Sequence, residues 1–218
     1  MQQWQTVLFD LDGTLTDPGE GITNSVAHAL RRMGYEVPER EALYKFIGPP
    51  LVDSFCRYYG MTPEQGVQAV ACYREYFADR GLFENLVYPG IPELLAELKQ
   101  QGKTVLVASS KPEFYVRKIL DHFALSQYFD VIAGASMDQS KVEKSLIVAE
   151  ALQRAGVQDH STAVMVGDRE FDVQGARTVG LPCIGVLFGY GSSAELTAAG
   201  ALALAADVAQ LRGLLLGQ

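Results

Sequence analysis

Two groups of carboxylates carry the clearest chemical signal in this sequence. Asp10-Leu11-Asp12-Gly13-Thr14-Leu15-Thr16 follows the run Thr6-Val7-Leu8-Phe9, and Gly167-Asp168-Arg169-Glu170-Phe171-Asp172 follows Ala163-Val164-Met165-Val166. Acids at the carboxyl ends of buried parallel strands lie where open α/β sheets bind ligands. Asp168 and Asp172 are four residues apart, which puts them on one face of a helix starting there, and Asp168 also reads as the N-cap of that helix. If the two strands are neighbours, four carboxylates crowd one crevice, and a hard cation such as Mg2+ relieves their repulsion. Taken by itself, Asp-x-Asp-Gly is equally a turn.

Two further segments could add to such a crevice. Ser109-Ser110-Lys111-Pro112 ends another apolar run and offers hydroxyls and backbone N–H groups, a seat for phosphate if a helix begins there. Lys141 and Lys144 stand before or on the helical pattern Leu146, Ile147, Ala151, and either one could bring a positive charge to a phosphate. Each is a surface lysine by default.

The elements that must position these residues are legible from periodicity. β-rich runs at 6–10, 104–110, 130–134, 163–168 and 182–187 are nearly continuous in apolar residues, as buried parallel strands are. Between them, apolar residues recur with helical spacing at Ile91, Leu94, Leu95 and Leu98, at Val116, Ile119, Leu120 and Phe123, and at Val148, Ala151, Leu152 and Ala155. Strand and helix in alternation predict an α/β fold with a doubly wound parallel sheet. Residues 19–86 break the pattern: they read as helices over 21–33, 38–46, 51–59 and 63–79, with Gly34, Gly60 and Gly81 as left-handed C-terminal caps. The expected organisation is a catalytic core of 1–18 and 87–218 with an inserted all-helical unit at 19–86, joined through Pro- and Gly-bearing crossings at 17–19 and 87–90.

Composition narrows the partners. Eighteen Lys and Arg against 26 Asp and Glu give the 218-residue chain a net charge of −8, a mean field that repels nucleic acid and anionic membranes. No apolar stretch approaches the ~20 residues needed to cross a bilayer, and the run before Asp10 is too short for a signal-peptide core. Cys56, Cys72 and Cys183 are widely separated and suggest buried free thiols rather than a disulfide framework or zinc site. The expectation is a cytosolic monomer or weak homodimer acting on a small molecule.

The ordered set of DLDGT, a strand ending in Ser, a downstream Lys and GDxxxD resembles the haloacid dehalogenase-like superfamily over nearly the whole chain. IGPPL at 47–51, SSKP at 109–112, VMVGDREFD at 164–172 and FGYGS at 188–192 are similar to its phosphoglycolate phosphatase and 5′-nucleotidase-like branch. The resemblance implies a Mg2+-dependent phosphomonoesterase with a helical cap. It makes Asp10 the nucleophile that forms an aspartyl-phosphate and Asp12 the general acid and base. It gives Mg2+ to the side chains of Asp10 and Asp168 and the backbone carbonyl of Asp12, with Asp172 close by. Ser109 and Lys144 then hold the transferring phosphoryl group, and Gly13, Thr14 and Ser110 line the substrate site. Many relatives carry Lys-Pro where this chain reads Lys141-Val-Glu-Lys144-Ser, so Lys141 stays open beside the favoured Lys144. The helical unit is expected to close as a lid, with Lys45, Phe46, Gly48 and Pro49 selecting the substrate.

Three other readings share parts of this pattern. A sugar phosphomutase would carry the same motifs. A dinucleotide-binding protein is suggested by Gly189-Tyr190-Gly191-Ser192-Ser193-Ala194, although only 27 residues follow Gly191. A receiver domain phosphorylated on aspartate would not call for Asp12 or a helical insertion.

Overall fold

The computed structural model describes residues 4–138 and 141–217. The chain divides into two compact units, Met1–Thr16 with Val87–Gln218, and Asp17–Leu86.

The first unit is built on a six-stranded sheet. In chain order its elements are β1 (Thr6–Phe9), α4 (Ile91–Gln100), β4 (Thr104–Pro112), α5 (Glu113–His122), β5 (Val131–Ala135), α6 (Lys144–Arg154), β6 (Ala163–Gly167), α7 (Glu170–Thr178), β7 (Cys183–Val186), α8 (Ser193–Ala199), β8 (Ala203–Ala205) and α9 (Val208–Leu216). The strands lie in the order β5-β4-β1-β6-β7-β8, every neighbouring pair parallel. Alternation along the strands explains the continuous apolar runs. Leu8, Leu106, Ala163 and Met165 face a layer formed with Ile147, Val148, Ala151, Val173, Ala176 and Leu196 from α6, α7 and α8. One residue out of step, Val7, Phe9, Val105, Val107, Val164 and Val166 are also buried, so both sheet faces are covered. After β1 the chain builds outward through β4 and β5, then returns to the other side of β1 with β6. The switch in direction falls between β1 and β6, where such sheets open a crevice at their carboxyl ends.

The strands of this sheet fall close to their expected positions, with one addition: β8 lies in an alanine-rich stretch at 198–209 and is a three-residue edge strand whose alternation is too short to read. The crossings between the units, Thr16–Asp17 (β2) and Leu86–Val87 (β3), are short strands that pair with one another.

The second unit contains α1 (Gly19–Arg32), a 3₁₀ segment (Arg40–Phe46), α2 (Leu51–Tyr59), α3 (Pro63–Tyr76) and a π turn (Phe77–Gly81). The helix expected at 38–46 is a 3₁₀ segment over 40–46 that buries Leu43 and Phe46. Thr62 starts α3 with a reciprocal capping box: its hydroxyl accepts from the Gln65 N–H at 3.3 Å, and the Gln65 side chain accepts from the Thr62 N–H at 2.9 Å. Gly60 caps α2 in the left-handed region as expected, with φ +65°. Gly81 does not, and its role is packing. Gly21 on α1 meets Gly81 so closely that a Cβ on Gly21 would lie 1.9 Å from the Gly81 carbonyl oxygen.

That approach generates a prediction with a sign opposite to helix propensity. Alanine ordinarily improves a helix over glycine by up to ~1 kcal/mol, but overpacking here costs on the order of 1–3 kcal/mol. Gly21→Ala is therefore expected to lower the urea midpoint with an unchanged m-value, and a raised midpoint would contradict the packing described.

Candidate active site

Asp10 is the first residue beyond β1. Its N–H donates to the Val166 carbonyl at 2.9 Å, which ties the exit of β1 to β6. The loop then closes on itself: the Leu11 carbonyl accepts from the N–H groups of Thr14, Leu15 and Thr16 at 3.2, 2.9 and 3.0 Å. Gly13 sits in this loop at φ +82°, a conformation that L side chains resist, and a Cβ there would also lie 2.2 Å from Asp168 Oδ2. Parallel pairing of β1 with β6 thus carries Asp10 and Asp168 to the same crevice.

Asp10, Asp168 and Asp172 form a buried triad in which one carboxylate oxygen from each lies within 4.8 Å of the others. Asp168 is wholly buried and Asp172 nearly so. Asp168 Oδ2 accepts from the Tyr190 N–H at 2.8 Å, and its Oδ1 accepts from the Thr14 hydroxyl at 3.4 Å. Asp168 is accordingly not the N-cap of α7. The helix starts at Glu170, and Asp172 Oδ2 accepts from the Arg169 N–H at 3.0 Å. Arg169 is extended, with φ −122° and ψ 158°, so the two carboxylates converge through a turn rather than along a helix face.

Lys144 enters the triad from the first turn of α6. Its Nζ lies 2.8 Å from Asp10 Oδ1 and 2.7 Å from Asp172 Oδ1, and its side chain is 4% exposed. Burial disfavours the charged lysine, but the Asp10 and Asp172 carboxylates outweigh that and raise its pKa above the ordinary value. Gly175 on α7 makes room for the stem: a Cβ there would lie 2.7 Å from Lys144 Cγ. Lys141 points elsewhere and pairs with Glu150.

Asp12 has a different partner. Lys111 Nζ lies 2.5 Å from Asp12 Oδ2, with both side chains largely buried. Burial raises the Asp12 pKa, and the Lys111 charge opposes that without reversing it.

The Ser109 hydroxyl accepts from the Lys111 N–H at 3.3 Å, and Ser110 is half-buried beside it. The sequence placed both serines at a helix N-terminus. The strand instead runs on to Pro112 through a register shift, and α5 begins at Glu113. Proline biases the residue before it toward extended backbone, which delays the helix. In the helical unit, Lys45 Nζ stands 4.5 Å from the centroid of the Tyr58 ring, and Gly48 turns the chain toward α2 at φ +102°.

Three contributors were not read from sequence: Lys111, Gly175 and the Tyr190 N–H. Lys111 stood in the SSKP motif, two residues from Ser109 and hence on the same face of a regular strand. Its pairing with Asp12 spans 99 residues. Gly189 and Gly191 are explained by packing: a Cβ on Gly191 would lie 1.8 Å from the Asp168 carbonyl oxygen.

The donor set fits a hard divalent cation. Asp10 Oδ1 is buried without a hydrogen-bond donor among the described residues, and it forms an ion pair with Lys144. Three carboxylates against one ammonium leave two negative charges uncompensated. Burial, then the neighbouring carboxylates Asp172 and Asp10, push the Asp168 pKa well up, and a bound cation reverses that direction.

A family model described as haloacid dehalogenase-like hydrolase matches residues 7–186. The chain is 44% identical over 213 residues to a 5′-nucleotidase of Pseudomonas aeruginosa, covering 98% of this chain and 96% of that protein. It is 42% identical over 187 residues to the tyrosine-protein kinase PtkA of Mycobacterium tuberculosis, covering 86% of this chain but 63% of the kinase. Among solved structures, a predicted phosphatase from Clostridium acetobutylicum aligns with a TM-score of 0.96 at 43% identity, covering all of both chains. The match over most of the chain, together with a near-full-length relative, establishes that the protein belongs to the haloacid dehalogenase-like hydrolases and is a phosphatase among them.

Proposed function

We propose that the protein is a Mg2+-dependent phosphomonoesterase that hydrolyses a small phosphorylated metabolite through an aspartyl-phosphate on Asp10. The observation that carries this reading is the position of Asp10: a buried carboxylate at the sheet's switch point, beside two further carboxylates and the Lys144 ammonium. An Asp10 oxygen attacks phosphorus, dividing one difficult displacement into two easier ones. Lys144 offsets charge on the transferring phosphoryl oxygens, and Ser109 donates its hydroxyl to one of them. Asp12 gives a proton to the departing ester oxygen and later takes one from the attacking water.

Asp10, Asp168 and the Asp12 backbone carbonyl would hold Mg2+, with Asp172 near them and Thr14 steadying Asp168. The ion supplies charge neutralisation for an anionic substrate approaching an anionic nucleophile. Asp10→Asn is expected to lower kcat by more than about a hundredfold on p-nitrophenyl phosphate. Chelation with EDTA should abolish turnover, and Mg2+ should restore it. Full activity in thoroughly chelated buffer would contradict the metal assignment.

The two lysines separate by geometry. Lys144→Ala should cost about 3–4 kcal/mol of transition-state stabilisation, comparable to loss of an oxyanion donor, whereas Lys141→Ala should cost little. Gly175→Ala, which crowds the Lys144 stem, should fall between them in kcat/KM. A larger loss in Lys141→Ala would transfer the phosphate-binding role to that residue.

For the substrate, a nucleoside 5′-monophosphate ranks first because the near-full-length relative is named a 5′-nucleotidase, with phosphoglycolate as the alternative. Lys45 and Gly48 of the helical unit are proposed to discriminate between leaving groups. In a panel of nucleoside monophosphates, phosphoglycolate and hexose phosphates scored by phosphate release, nucleotides should lead. Lys45→Ala and Gly48→Val should alter the ranking more than the rate on p-nitrophenyl phosphate. Conversion of a hexose 1-phosphate to its 6-phosphate would instead identify a mutase.

A further inference from the structure

Asp10 and Asp12 are paired with different lysines, and the pairing of Asp12 has a chemical consequence. Lys111 approaches Oδ2 of Asp12 at 2.5 Å, with the lysine side chain 7% and the aspartate side chain 11% exposed. Oδ1 of the same carboxylate is buried and has no hydrogen-bond donor among the described residues. An ammonium group donates hydrogen bonds and accepts none. A proton on Oδ2 would therefore point at a group unable to receive it, whereas Oδ1 has no such neighbour. Lys111 is itself anchored, because its N–H donates to the Ser109 hydroxyl at 3.3 Å and Pro112 restricts its backbone.

We infer that Lys111 is a positioning residue that orients Asp12 and designates Oδ1 as the oxygen that transfers the proton. The inference rests on the phosphatase reading above and adds a residue to it. In the first half of the reaction the proton leaves Oδ1 for the ester oxygen. The bond between phosphorus and that oxygen breaks with its electron pair on the oxygen, and an Asp10 oxygen bonds to phosphorus. In the second half Oδ1 takes a proton from water as the water oxygen bonds to phosphorus, and the electron pair of the Asp10–phosphorus bond returns to Asp10. Lys111 changes no bond in either half.

An esters-of-graded-basicity experiment tests this. Dinitrophenolate departs without protonation, whereas phenolate is much more basic and needs the proton from Asp12. Lys111→Met should reduce kcat/KM for phenyl phosphate at least about tenfold more than for 2,4-dinitrophenyl phosphate, within the range ascribed to general acid catalysis. Lys111→Arg, which keeps a donor cation, should recover part of that difference. In an Asp12→Asn background, Lys111→Met should add no further difference between the two esters, because the residues act as one unit. Proportional losses on both esters in Lys111→Met, or a differential that persists without Asp12, would overturn the inference. Should Lys111→Met fail to fold by circular dichroism, Lys111→Leu, which also lacks a donor, takes its place with the same expected ratio. Wild-type hydrolysis of 2,4-dinitrophenyl phosphate and its loss in Asp10→Asn test the parent reading separately, so a failure there is not confused with a failure of Lys111.

Discussion

Negative charge held out of water is the constraint on which the rest of this structure depends. Asp10, Asp12, Asp168 and Asp172 are all buried, and an unpaired buried carboxylate is far more costly than an exposed one. Lys144 bridges Asp10 and Asp172, and Lys111 meets Asp12. A buried ion pair contributes little net stability, but removing one partner strands the other charge. The carboxylates therefore tie together the ends of β1, β4 and β6 and the first turns of α6 and α7. The residual negative charge also makes the cluster receptive to a cation.

Bringing those charges together takes tight backbone geometry. The parallel pairing of β1 with β6 supplies coarse placement, and the missing side chains of Gly13, Gly189 and Gly191 supply the rest. Each of the three lies where a Cβ would collide with Asp168. The loop after β7 can consequently wrap over Asp168 and give it the Tyr190 N–H. Gly175 does the same for Lys144 from the helix side. Small residues at this site provide proximity, which is the requirement for preorganised electrostatics.

Asp10 and Asp12 are two residues apart and chemically alike, yet their surroundings differ. Asp10 shares its lysine with Asp172 and faces a metal-competent cluster. Asp12 has Lys111 on one oxygen and, among the described residues, nothing donating to the other. These two environments support the separate roles proposed above, nucleophile for Asp10 and proton carrier for Asp12. Separating neighbouring acids by environment is how a single site performs both kinds of chemistry at neutral pH.

The sheet was legible because buried parallel strands must be continuous in apolar residues, and the helices between them because one face must be apolar every three to four residues. Asp10, Asp12, Asp168 and Asp172 were legible because acids at strand ends stand out against that background. Residues 40–46 read as a helix but not as a 3₁₀ one, and β8 did not show at all, since three residues are too few to establish a period. Local patterns also misplaced the serines, because Pro112 acts on a helix start that spacing alone puts earlier. Lys111 and Lys141 look alike along the chain, and only the fold separates them: one is buried against Asp12 across 99 residues, while the other pairs with Glu150 in its own neighbourhood. Sequence determines which residues are able to do chemistry, because residue type and periodicity are local. Tertiary structure decides which of them meet, because electrostatic pairing depends on distance in space and not on separation along the chain.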